Sequence, residues 1–494
     1  MPDTKISVPL YQRLADTLAD AMASGLLRPG ERLPSVRATC LERGVRPSTV
    51  FQAYGRLETE VLIEARPRSG YYVRAVRRLQ RAGPQAATAR AHATPVAVSE
   101  LVFELLNASQ DAELVPLGSA FPASHLFPFA ELARCGARAM RQVRPTQITS
   151  ALTAGDARLR HALQRRYALH QVPLAKDELL ITNGAMEALN LCLQAVTQPG
   201  DVVAIESPTF YAALQVLERL GLQAVEVLTD PAEGVDLDAL EALLQSRKPA
   251  ACWFMTSFQN PLGALMSTAR KQALVQLLTR HGVPLIEDDV YGELYAGSRR
   301  PLPAKAFDTD GWVLHCASFS KCLAPGYRVG WAAAGRFSAK VQRLKMMSSL
   351  ATALPPQLAL AEYLAQGTFE RHLRQLRSAL GEQQLRALRL IEKHFPTGTR
   401  VTRPAGGYFL WLELPEHVNT LELYRLAMAE SISTAPGVLF SADGRFTHHI
   451  RLNIGHPGDR RISQALRRLG ELSCAMAAQG AESFMNDDRL ATSP

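Results

Sequence analysis

Apolar positions follow two rhythms along this chain of 494 residues. Leu10, Leu14, Leu18 and Met22 recur at the spacing of one helix face, which predicts an amphipathic helix over 10–24. The next stretch, GLLRPGERLPSVR, turns, and Ser35 stands where it can cap a short helix. A break at 45–48 leads into a second helix over 48–58, and VLIEARPRSGYYV then carries two β-rich runs about a basic turn. Farther on, short apolar runs at 179–182, 202–206, 224–228, 251–256, 284–288 and 313–318 read as strands. Helix-length amphipathic stretches at 185–197, 236–245 and 267–281 lie between several of them. That alternation predicts an α/β fold with a mainly parallel sheet covered by helices. GGYFLWLEL, a helix near 421–431 and IRLNIG suggest a smaller α+β lobe towards the end.

Composition adds boundaries. After Val76 the chain reads RRLQRAGPQAATARAHATPVAVS, with few large apolar residues and no helical period. The expected layout is a small domain over 1–76, a mobile linker over 77–111 and a large domain over 112–472. A flexible tail is expected over 473–494, because periodicity fades after Gly470. The formal charge is +9, and thirteen Lys and Arg against eight Asp and Glu place +5 of it before residue 79. A small basic domain is the usual footprint of nucleic-acid binding. No apolar run approaches the roughly 18 residues of a membrane span, and MPDTKISVPLYQRL lacks a signal-peptide pattern. The seven cysteines are scattered without a Cys-x-x-Cys pair, so neither a disulfide framework nor a metal site is expected. A soluble, cytoplasmic protein without membrane association is the resulting expectation.

One stretch suggests chemistry by itself. In SFSKCLAPGYRVGW, Lys321 follows an apolar strand and sits among small, hydroxylic and Gly/Pro residues. Such a lysine is expected in a cleft, where partial burial favours the neutral amine needed for Schiff-base formation. ITNGAMEALNL has the strand, glycine turn and helix start that can cradle a phosphate.

The segment PLYQRLADTLADAMASGLLRPGERLPSVR…STVFQAYGRLE…GYYV resembles the GntR-type winged helix-turn-helix domain. The resemblance implies that helix 48–58 enters the major groove of double-stranded DNA, with Arg37, Arg66 and Arg68 on phosphates or groove edges. Ser48 and Thr49 can donate at the helix start, and Arg46 and Tyr54 complete the expected DNA-facing set. Val61 and the Cys40-Leu41 pair depart from the family pattern.

The Lys321 motif is similar to that of fold-type I pyridoxal-phosphate enzymes, the aspartate aminotransferase family, with further motifs in the expected order. The resemblance implies an aldimine between Lys321 and pyridoxal 5'-phosphate. It implies that Gly184, Ala185, Met186, Ser318, Ser320 and Arg328 hold the phosphate, while Phe210 stacks on the ring. Asn260 and Tyr291 would bond the ring hydroxyl, Asp288 the pyridine nitrogen, and Arg451 a substrate or effector carboxylate. Asp288 is preferred over Asp289 by the Asp-x-x-Tyr spacing. Ser150 stands where many relatives carry a tyrosine.

A GntR-type domain joined by a linker to an aminotransferase-like domain resembles MocR-type transcriptional regulators. The resemblance implies a homodimer, often with exchanged DNA-binding domains, that senses PLP or an amine effector such as an amino acid through Lys321. The alternative is an active aminotransferase working on an α-amino acid.

Overall fold

The computed structural model describes residues 9–23, 27, 30–59, 62–66, 69–73, 83–85, 93–96, 98–100, 102–103, 113–144, 146, 154–175, 177–297 and 299–491. The chain divides into two compact units, one built on residues 1–80 and one on 81–295 with 299–494.

In the first unit, α1 (Leu10–Ala23), α2 (Val36–Arg43) and α3 (Pro47–Thr59) precede an antiparallel hairpin of β1 (Ile63–Arg66) and β2 (Gly70–Val73). Ser35 caps α2 by accepting from the Ala38 N–H at 3.1 Å, and Gly44 ends that helix in the left-handed conformation. Pro47 opens α3, where its missing N–H costs nothing. Leu14, Leu18, Val50, Ala53, Leu57, Ile63 and Val73 form the core.

Tyr54 belongs to that core and corrects the expectation that it faces DNA. Its side chain is fully buried; the hydroxyl donates to the Pro34 carbonyl at 2.8 Å and shares a 2.8 Å hydrogen bond with Thr39 Oγ1. Helical geometry is the reason: Val50, Ala53, Tyr54 and Leu57 lie on one face of α3, and that face is turned inward.

The second unit is organised by a mixed sheet in the order β3 (Thr94–Pro95), β7 (Gln223–Asp230), β6 (Val202–Ser207), β9 (Ala251–Phe254), β10 (Leu285–Asp288), β11 (Val313–Ser318), β12 (Gly330–Ala333), β5 (Leu179–Thr182). β8 (Gly234–Val235) pairs β7, and β4 (Val115–Pro116) pairs β15 (Ile432–Ser433) outside this sheet. The centre, from β7 to β11, is parallel; β12 runs antiparallel to both β11 and β5. Alternate residues enter different cores: Val203 and Ile205 pack with α4 (Ala185–Val196), and Ala204 packs with α6 (Leu237–Ser246) and α7 (Thr268–His281). Helices thus cover both faces, as a parallel sheet of apolar strands requires. A smaller sheet, β13 (Arg400–Val401), β14 (Phe409–Glu413), β17 (His449–Asn453) and β16 (Ala435–Pro436), is flanked by α8 (Thr420–Ala429).

Two expected boundaries move. Within the anticipated linker, Thr94 and Pro95 pair with β7, Val96, Val98 and Val102 are buried, and Glu218 accepts from the Val98 and Ser99 N–H groups at 3.0 Å. Three isolated valines leave no periodic signal, yet each finds core. Beyond Gly470, α9 (Arg460–Ala491) continues through the anticipated tail, with Ser473 and Met476 buried.

Tyr54→Phe leaves the Pro34 carbonyl and Thr39 hydroxyl short of a partner and should destabilise the first unit by about 1–2 kcal/mol. Faster amide exchange along α3 in the full chain, with no change in the salt dependence of DNA binding, is the expected outcome.

Candidate functional site

The side chains singled out in the large unit converge because they follow the carboxyl ends of neighbouring strands, where open α/β sheets hold ligands. Asp288 ends β10, Ser318 ends β11 with Ser320 and Lys321 just beyond, and Gly184 follows β5. Phe210 follows β6 as the partly buried residue before α5 (Tyr211–Arg219), and Asn260 lies in the loop after β9. The smaller sheet contributes Arg451 from β17.

Lys321 Nζ donates to the Ala120 carbonyl at 2.8 Å and lies 3.8 Å from the centre of the Phe121 ring. Burial, with Arg451 and Arg328 adding positive charge, brings its pKa down to about 7, against the opposing pull of Asp288. Asp288 is buried, and burial carries its carboxyl up to about 7; the nearest bonded donor is the Val290 N–H at 3.4 Å. Asp289 differs, being ion-paired with Arg300 at 2.6 Å. Tyr291 is buried edge-on against Tyr408 at 5.6 Å, and burial raises its phenol pKa.

At the other end of the cleft, α4 begins at Gly184 without a side-chain cap, so the N–H groups of its first turn have no helical acceptors. Gly184 has φ +80°, and a Cβ there would stand 2.7 Å from Arg328 Nη2. Arg328 itself adopts φ +52°, rare for a residue with a side chain, and donates to Ser320 Oγ at 3.2 Å. The Ser318 hydroxyl accepts from the Ser320 N–H at 3.3 Å. Two cationic or dipolar donors therefore aim at one small space, which suits an anion of phosphate type.

Arg451 is fully buried and donates to Asn260 Oδ1 at 3.2 Å, the Gly118 carbonyl at 2.5 Å and the Ser119 carbonyl at 3.1 Å. Its Nε and the Nδ2 of Asn260 are buried without a partner among the described residues. The strap 118–121 escaped the sequence reading because it acts through backbone: Ala120 also accepts from Tyr408 Oη at 3.0 Å, and Phe121 accepts from Asn453 Nδ2 at 2.7 Å. Nothing in a residue type marks a carbonyl for such work.

Residues 134–469 match the family described as Aminotransferase class I and II, and residues 10–73 match the gntR family of bacterial regulatory proteins. The chain is 46% identical to a protein of Escherichia coli named as an uncharacterized HTH-type transcriptional regulator, YdcR, covering 94% of this chain and 98% of that one. The chain belongs to the class I and II aminotransferase family, with a gntR-family domain at its start. This aminotransferase unit is 34% identical to the 2-aminoadipate transaminase of Thermus thermophilus, over 74% of this chain and 92% of that one. It superposes on the solved kynurenine aminotransferase of Pyrococcus horikoshii with a TM-score of 0.71 at 28% identity, covering 76% and 94% of the two chains. Pyridoxal 5'-phosphate is the cofactor of the aminotransferase family, and the residues here fit it: Asn260 keeps an unpartnered buried donor, and Gly184 with Arg328 leaves a cradle that a Cβ would fill.

In the gntR-family unit, Arg37, Arg46, Ser48 and Arg66 are exposed and Thr49 is partly so. Arg66 pairs with Glu64 at 2.7 Å and covers the Tyr72 ring at 4.3 Å. Gln52, exposed one turn after Ser48, joins this face; the sequence reading passed over it because only the helix phase shows which side faces out. Arg68, Val61 and Ser150 lie outside the described residues.

Gly184→Ala should abolish PLP binding, with absorbance titration as the check, since the added methyl meets the Arg328 guanidinium. Capture of PLP by the cofactor-free protein should rise through a midpoint near pH 7, not near pH 10, as Lys321 loses its proton. Asp288 holds its proton more tightly when folded, so it costs stability increasingly from its unfolded value of about 4 up to about pH 7. Asp288→Asn should flatten that decline and raise the cofactor-free melting temperature above pH 7 while weakening PLP affinity.

Proposed function

We propose that this protein is a PLP-dependent transcriptional regulator of the MocR type, in which the aminotransferase unit reports PLP or an amino compound to the gntR-family unit. The carrying observation is that one chain joins an aminotransferase-family unit to a gntR-family unit. Lys321 would supply the amine for the cofactor aldehyde. Ser318, Ser320, Arg328 and the start of α4, from Gly184 to Met186, hold the phosphate. Asn260 and Tyr291 would hold the ring hydroxyl, Phe210 would cover the ring, and Asp288 would carry charge for the pyridine nitrogen. When bound, PLP supplies an electron sink for carbon acids next to an amine. Arg451 turns from the strap carbonyls to a ligand carboxylate, for which its planar fork is suited.

The DNA-facing surface is α3 with Arg37, Arg46, Ser48, Thr49 and Gln52, and the hairpin with Arg66 and Arg68. A homodimer in the cytoplasm reading repeated half-sites completes this reading. Ligand control requires the amino compound to favour one dimer arrangement over another. Among the described residues no helix is long and apolar enough to cross a membrane.

Turnover as an aminotransferase is the second reading. It is favoured by Arg451 and Lys321 reaching the same strap, as a clamp and a nucleophile acting on one amino acid should.

The deciding experiment titrates DNA from upstream of the gene with cofactor-free protein, PLP-loaded protein and Lys321→Ala. Affinity should shift on PLP loading only when Lys321 is present; an affinity indifferent to PLP removes the sensor reading and leaves turnover to be assayed. Arg37→Ala should reduce the magnitude of the slope of log affinity against log salt by about one.

A further inference from the structure

The expectation of no metal site rested on the cysteines, and one cluster in the smaller sheet uses none. Glu413, His448 and His449 each offer a ligand-type atom, and these atoms lie within 4.8 Å of one another. The local fold explains why they meet. Glu413 and His449 stand directly opposite across β14 and β17, so their side chains share one face of the sheet. On a regular strand the side chain of His448 would point to the other face. It precedes β17, however, where the backbone turns and the His449 N–H donates to the Phe446 carbonyl at 2.9 Å. The Leu414 N–H holds the His448 carbonyl at 2.9 Å, and the centres of the two imidazole rings are 4.4 Å apart.

His449 anchors the cluster. It is 7% exposed, its ring stacks on Trp411 at 5.3 Å, and Phe446 meets it edge-on at 5.3 Å. Its Nδ1 is buried without a partner among the described residues. A buried polar atom in that state carries a desolvation penalty, which a metal ion taken at Nδ1 removes. Burial also favours the neutral ring, the form that ligates metals. Glu413 pairs with Arg400 at 3.0 Å through Oε1 and accepts from the Gln85 N–H at 2.7 Å through Oε2, and each oxygen keeps a second lone pair. Arg400, facing the cluster from β13, offsets part of the carboxylate charge, so the imidazoles must carry much of the binding.

We propose that Glu413, His448 and His449 form a site for one divalent transition ion of the zinc type. Two imidazoles select such an ion over Ca2+ or Mg2+, which take oxygen ligands. With bonds of about 2.0–2.2 Å, tetrahedral ligand atoms stand roughly 3.4 Å apart. The half-buried His448 and Glu413 side chains close the remaining distance by rotation, while Trp411 backs the His449 ring. Three protein donors leave a fourth position for water or for a donor from outside. The ion would sit on the strand that carries Arg451, with none of its ligands drawn from the cofactor residues. The site does not depend on the regulator reading.

The test titrates Zn2+ calorimetrically into the full-length, PLP-loaded protein carrying Cys474→Ser, which removes the exposed thiol. One ion per chain should bind, more weakly as the pH falls because protons compete for the imidazoles. His448→Ala and Glu413→Gln should each weaken binding about tenfold or more, since losing a ligand costs at least as much as losing the group that supports one. Retained PLP absorbance shows that a variant is folded. If Glu413→Gln, which gives up the ion pair with Arg400, unfolds the lobe, His448→Ala decides alone. Co2+ in place of Zn2+ identifies the donors, with ligand-field bands and no thiolate charge-transfer band expected. Absence of Zn2+ binding by the parent, equal affinity in parent and variants, displacement by Mg2+ or a thiolate band each overturns the site.

Discussion

Lys321 and Arg451 bring two cationic groups into one cleft where Asp288 is the facing carboxyl, and Arg328 adds a third near the phosphate-type cradle. Asp289, the adjacent carboxylate, is committed to Arg300. The cleft therefore carries more positive than negative charge, and its architecture answers that imbalance. The strap 118–121 supplies carbonyl dipoles to both Lys321 and Arg451, and the unprotonated amine is favoured at Lys321. A dianionic phosphate answers the same imbalance from outside, which is why an anionic cofactor suits this site.

Holding such a site open requires rigidity beneath it. His315 on β11 bonds Glu287 on β10 at 2.8 Å and Tyr167 Oη at 2.8 Å, and Trp331 on β12 donates to the same phenol at 2.9 Å. Glu287 also accepts from Thr256 at 2.6 Å and from the Ala304 N–H at 2.6 Å; burial pushes its carboxyl up, but His315 above all, with Lys271 and Thr256, holds it below the usual carboxylate range. This network ties together the strands whose ends carry Asp288, Ser318 and Lys321. Asp288 and Asp289, consecutive in the chain, point to different sides of the strand end. One serves the cleft and the other joins the network below it.

Strand and helix positions in the large unit were legible because buried strands are continuous apolar runs and their covering helices are amphipathic. The segments expected at 179–182 and 313–318 are β5 and β11 residue for residue. Around Lys321 the motifs were equally legible, since each depends on a residue type at a set distance from a strand end. The strap and the valines at 96, 98 and 102 were not. They act through backbone groups or single anchors, and neither leaves a period in the sequence.

By itself the sequence determined the two-part organisation, the order of strands and helices along the chain, and the residue types gathered for an aldehyde cofactor with a phosphate. Only the tertiary structure decided which groups meet. It turned Tyr54 inward and Gln52 outward, and gave Arg451 to the carbonyls of a distant strap. Periodicity reports how a segment relates to its own axis. Which distant backbone comes to lie beside it is settled by packing, and packing leaves no mark at any single position.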